Sequence, residues 1–193
     1  MRAVDAHVVR GDVVARFRAM HPEVDDDAAL SLVSQALRRW FRLLAADPGA
    51  QLALPSEAVA SLWLETVRDE EPYALLCAQA FGRVLAFTPL GVPVDGALPD
   101  AARLARTLDR ARADDDAPIP LLFGVDEAVG IVGGRRYLAA CGGGTQCHPV
   151  PGRWCMEHLT GASGRPPAGR RHRPLDRTTN EIPNSQVRTW PFS

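Results

Sequence analysis

Five side chains within eighteen residues are the best equipped for chemistry: Cys141, Cys147, His148, Cys155 and His158. Thiolate sulfur and imidazole nitrogen are the ligands that enclose a tetrahedral Zn2+. Cys155 and His158 would reach one ion from a single helical turn, and Cys141 with Cys147 would complete the set. His148 is the alternative ligand. The Cys-x5-Cys spacing is wider than the usual gap of about two to four residues, and no Cys-x2-Cys pair is present. The pattern therefore falls short of a zinc signature, and the competing reading is buried thiols beside a surface histidine. A structural Zn2+ is the one cofactor these residue types suggest.

Other chemistries lack their parts. Gly142-Gly143-Gly144 is not a phosphate loop, because a Walker motif needs Gly-Lys-Ser/Thr and this chain has no lysine. Neither G-x-G-x-x-G nor G-x-S-x-G occurs. Adjacent side chains rarely face each other, so a Cys147 nucleophile would need a distant base such as His158 rather than His148. Glu65, Asp69, Glu70 and Glu71 are candidate acid–base groups, although a solvated, dipole-matched helix end also accounts for them. His7, His21 and His172 are isolated and expected at the surface. Arg170, Arg171, Arg173 and Arg177 can touch phosphate, but a solvated tail is the ordinary meaning of such a run. Trp190 and Phe192, flanking Pro191 in a polar terminus, are read as partner-binding anchors, the alternative being that they anchor the tail on its own domain.

The elements that must position these groups follow from composition and period. With 193 residues, 46% hydrophobic and 23% charged, the chain has the makings of an ordinary globular domain. A net charge of −1 gives no general attraction to nucleic acid or to an anionic membrane. All 22 cationic side chains are arginine, a bias that fits a GC-rich bacterial genome. The N-terminal residues lack the unbroken apolar stretch of a signal peptide, and no run approaches the ~20 apolar residues of a membrane span. A cytoplasmic location is expected, where four cysteines are thiols or metal ligands rather than disulfides.

Apolar spacing predicts helices over about 4–19, 26–46, 56–68, 70–87, 100–112 and 120–130. Asp25–Asp27 and Ser56 read as N-cap signals, and Asp69-Glu70-Glu71-Pro72 restarts the chain with acids and a proline in a first turn. Trp63, Tyr73, Cys77 and Phe81 fall on the faces where the two central helices should meet, as antiparallel neighbours. Residues 135–141 fit helix or strand. Beyond Gly161 apolar periodicity stops, and the segment reads as a flexible or docking tail.

The segment PSEAVASLW…Y…C…FGRVLAFTP resembles the helical domain of the glycine-rich-domain-containing protein-like family of plants and bacteria. Pro55, Ser56, Val59, Trp63, Tyr73, Cys77, Phe81, Gly82, Leu85 and Pro89 stand at matching places, and LFGVDEAVGIVGGRRYLAACGGG looks like bacterial members. The resemblance spans residues 40–145 at most. It implies a helical scaffold and no defined activity. Where that family has histidines, this chain has Leu64, Ala86 and Phe87, so a site built on them would be lost here.

The expected protein is mainly α: one helical-bundle domain over 1–160 with a Gly/Cys-rich extension, then an irregular Arg/Pro-rich tail over 161–193. Its expected role is non-enzymatic, acting through a protein partner or self-association, without nucleic acid or membrane. The alternative is a zinc-binding protein or metalloenzyme using Cys141, Cys147, Cys155 and His158.

Overall fold

The structure, a computed structural model, describes residues 2–92, 95–140 and 152–159. It is mainly helical. The first predicted helix is two: α1 (Arg2–Ala6) and α2 (Gly11–Met20), parted by residues 7–10. Arg10 is extended (φ −69°, ψ 153°) at the N-cap of α2, so Gly11 opens a helix instead of weakening the middle of one. Asp12 then suits the first turn and lies 3.3 Å from Arg16 one turn on.

Helix α3 (Asp27–Ala46) begins at Asp26, whose carboxylate accepts from Ala29 N at 2.6 Å. It buries Val33, Ala36, Leu37, Trp40, Phe41 and Leu43. Helix α4 (Glu57–Val67) is the central element, with α2, α3, α5 and α7 packed on it. Its centrality explains why even Glu65 and Thr66 are buried. Helix α5 (Glu70–Phe81) ends earlier than apolar spacing predicts, at Phe81 instead of Leu85 and beyond, because Gly82 adopts the left-handed conformation (φ 66°). That backbone stops a helix however apolar the following residues are.

Helix α6 (Asp100–Asp114) grips the segment before α4. Arg103 Nε and Nη2 donate to Leu52 O at 3.2 and 2.9 Å, and Thr107 Oγ1 donates to Ala53 O at 2.9 Å. Helix α7 (Leu121–Ala128) leads through a tight turn to β1 (Arg136–Leu138), so this part of 135–141 is strand. β1 pairs in parallel with β2 (Arg153–Cys155), with Leu138 opposite Cys155. A last turn, α8 (Met156–Leu159), places Met156 and Leu159 in the core beside α6. Among the described residues, no helix is long and apolar enough to cross a membrane.

Candidate functional site

The α4–α5 junction gathers Arg10, Asp12, Arg16, Glu65, Arg68 and Asp69 into one charged network. Glu65 is buried, and its carboxylate accepts from Arg16 Nε at 2.8 Å and from Arg68 Nη1 at 2.5 Å. Arg16 Nη2 also donates to Glu65 O at 3.2 Å and to Asp69 Oδ1 at 3.1 Å. Glu65 is thus no solvated helix end. It is a buried anion held by guanidinium groups from two elements, which compensates the loss of water.

Beside this network lies a cavity of about 20 Å3 lined by His7, Val9, Arg10, Val13, Thr66, Asp69, Pro72 and Tyr73. Two buried atoms there, His7 Nε2 and Asp69 Oδ2, have no hydrogen-bond partner among the described residues. Arg10 Nε stands 3.6 Å from Asp69 Oδ2, close enough for charge attraction. Burial, helped by the Arg38 guanidinium, holds the His7 imidazole below its ordinary pKa, so the ring is neutral at pH 7. His7 is therefore not an exposed surface group. Nor is His21, which is half-buried against Phe17 with Nδ1 3.5 Å from Glu23 Oε1. The cavity has room for a water molecule, against the about 300–1,000 Å3 of a ligand pocket.

Tyr73 closes the inner wall. Trp63 Nε1 donates to its hydroxyl at 3.0 Å, and the hydroxyl donates to Leu85 O at 2.8 Å. Burial pushes the Tyr73 hydroxyl well above its usual pKa, so it acts as a fixed hydrogen-bonding group. Trp63 sits edge-on to Phe41 and Phe87, with ring centroids 5.8 and 5.1 Å away. The meeting of Trp63 and Tyr73 is the geometry that their helical spacing implies.

A second buried carboxylate, Asp126, serves the head of α4. It accepts from Ser56 Oγ (2.5 Å), Glu57 N (2.8 Å), Ala58 N (3.1 Å) and Arg135 N (2.9 Å). Ser56 Oγ in turn accepts from Val59 N at 3.1 Å. Arg135 donates to Leu54 O at 2.9 Å and pairs with Glu57, and Tyr137 Oη donates to Pro55 O at 2.9 Å. A helix N-terminus has unpaired N–H groups and partial positive charge, which a buried anion from α7 satisfies here. The Pro55-Ser56 signal located the cap, but no sequence pattern pointed to Asp126.

Of the proposed zinc ligands, Cys155 is a half-buried free thiol at the end of β2. His158 belongs to α8. Cys141, Cys147 and His148 lie outside the described residues, as do Trp190, Phe192, His172 and the tail arginines. Among the described residues, no three His, Cys, Asp or Glu side chains converge as a metal site would require.

The outer side of α5 completes the inventory. Ala74, Leu75, Ala78 and Gln79 are exposed, Leu75 by 59%, and Val84 beyond the helix by 58%. No curated protein and no solved structure matches the chain. Residues 1–159, most of its length, match the family model described as UCP032817-like, and the chain belongs to that family.

Proposed function

We propose that this protein is a helical interaction module that acts through a protein partner rather than by catalysis. The outer face of α5 is the observation that carries this reading. From Pro72 to Gly82 no residue is charged, and the exposed positions there are Pro72, Ala74, Leu75, Ala78, Gln79 and Gly82, in a chain otherwise rich in surface Asp and Arg. Such an uncharged strip with an exposed leucine is a docking feature rather than a solubilising one. The strongest acid–base candidates support the same reading. Glu65 and Asp126 already hold arginines and backbone N–H groups that join helices. Kinship to the glycine-rich-domain-containing protein-like helical domain is part of the proposal, supported by the matching residues Trp63, Tyr73 and Phe81, of which Trp63 bonds Tyr73 and shares the Phe41 ring with Phe81. The test is affinity capture with the full chain and with Leu75→Glu, each checked by a thermal melt. The expected result is a protein retained by the first and lost from the second. Equal retention by both would remove α5 from the reading.

A second reading, zinc binding, is favoured by one observation. The parallel register sets Leu138 beside Cys155, so the end of β1 meets the start of Cys155-x2-His158, and Cys141 follows Leu138 by three positions. Metal analysis of the purified chain, with melts before and after a strong chelator, tests it. Stoichiometric zinc and a melt that collapses on chelation are expected of a structural ion. Absence of both would reject that reading.

A further inference from the structure

We infer that the cavity between the α1–α2 connection and the α4–α5 turn is a site for one internal water molecule, which bridges His7 Nε2 and Asp69 Oδ2.

Both atoms are buried, both belong to side chains that line this one cavity, and neither has a hydrogen-bond partner among the described residues. A buried polar atom left bare is costly, and two beside the same small space call for a shared partner. The neighbouring polar side chains are engaged elsewhere. Thr66 Oγ1 donates to Leu62 O and the Tyr73 hydroxyl to Leu85 O, each at 2.8 Å. Arg10 Nε donates to Asp12 Oδ1 at 3.1 Å and stands 3.6 Å from Asp69 Oδ2, outside hydrogen-bond reach. Arg16 Nη2 is committed to Glu65 O and Asp69 Oδ1.

Size and charge select the occupant. The space is about 20 Å3, and one water needs about 10–15 Å3, so a single molecule fits with little to spare. Asp69 opposes an anion. A cation would meet Arg10 in the wall and the field of Arg38, which already disfavours positive charge on His7. A neutral water meets neither objection. It also serves both tautomers of the ring, donating to a bare Nε2 or accepting from Nε2–H, and in each case it donates to Asp69 Oδ2. The bridge ties the connection after α1 to the turn between α4 and α5, alongside the packing of α1 on α5.

Two magnetic-resonance measurements on the full chain test this: cross-relaxation from water to protein, and relaxation dispersion of the water oxygen, to which no hydroxyl proton contributes. A cross-peak between the His7 ring protons and a long-lived water is expected. The dispersion amplitude should fall by one slowly exchanging water in His7→Phe, which keeps a ring and removes the nitrogens. It should fall equally in Val13→Ile, which fills the space without touching a polar group. Thr66→Val removes a hydroxyl that could relay the cross-peak, and should leave both readouts unchanged. Thermal melts show that each variant is folded. A parent without the cross-peak overturns the inference whatever the variants do. So does a cross-peak that vanishes in Thr66→Val, or a dispersion amplitude equal in the parent, His7→Phe and Val13→Ile.

Discussion

Asp126 carries four hydrogen bonds on two oxygens. In Asp126→Asn an NH2 group replaces one oxygen and faces donors, leaving buried N–H groups unpaired. The variant should lose about 2–4 kcal/mol of stability, read from the urea midpoint. His7 supplies a prediction of opposite chemistry, since its burial favours the neutral ring. Its folded pKa lies below the ordinary 6.5, so its contribution is fully present above that value and is lost as pH falls through the folded one. The groups around it, Arg38, Arg10 and Asp69, set how far that fall extends. Melting temperature should drop as pH falls below the ordinary histidine pKa of about 6.5, and His7→Gln should drop less over the same range. These residues also show how far the sequence could be read. Ser56 announces itself as a cap because its partner, Val59, is three residues away. Asp126 reaches Ser56 across seventy positions, and Glu65 reaches Arg16 across forty-nine. No local pattern encodes contacts that only the packing of α2 and α7 on α4 creates.

Elements start and stop for backbone reasons, and two glycines show different ones. A Cβ at Gly134 would come 2.8 Å from Ile131 Cβ and 2.9 Å from Asp126 Cβ, closer than carbon atoms tolerate. Gly134→Ala must push the β1 approach away from α7, at a cost of about 1–3 kcal/mol. At Gly82 nothing lies within 4 Å, but φ is +66°. Gly82→Ala should cost about 1–2 kcal/mol through backbone conformation alone. Urea unfolding of the pair separates the two mechanisms, because only Gly134→Ala should disturb the environment of Tyr137. Helix interiors were legible here from apolar spacing, as in α3, where Leu37, Trp40 and Phe41 face the core. Boundaries were not. Apolar residues continue on both sides of the break at 7–10 and past Gly82, so period alone runs through them.

Across the molecule, polar ties join distant segments: Glu23 Oε1 accepts from Val132 N at 2.9 Å, and Arg39 pairs with Asp115. The Val132 N–H holds Glu23 below its usual pKa, and the Leu121 N–H, with help from Arg39, does the same for Asp115. For a depressed carboxylate the stability is present above the unfolded pKa and lost as pH falls through the folded one. A second acid limb should therefore appear below about pH 4, separate from that of His7, and Asp115→Asn should reduce it in a pH series of melts. At this scale the mainly helical class was legible from composition and period. The parallel pairing of Leu138 with Cys155 was not, since three-residue strands carry too few side chains to display a period.

The indoles make the fold visible to light. Trp40 and Trp63 are buried together, centroids 6.1 Å apart, while Trp154 is half-buried on β2. Trp63 has a hydrogen-bond acceptor in Tyr73, and Trp40 Nε1 has none among the described residues. Their excited states therefore relax in different surroundings within one core. Emission from that pair reports whether α3, α4 and α5 are assembled, and Tyr73, in contact with Trp63, is placed to pass its excitation on. The chain needs no added dye for its central packing to be followed.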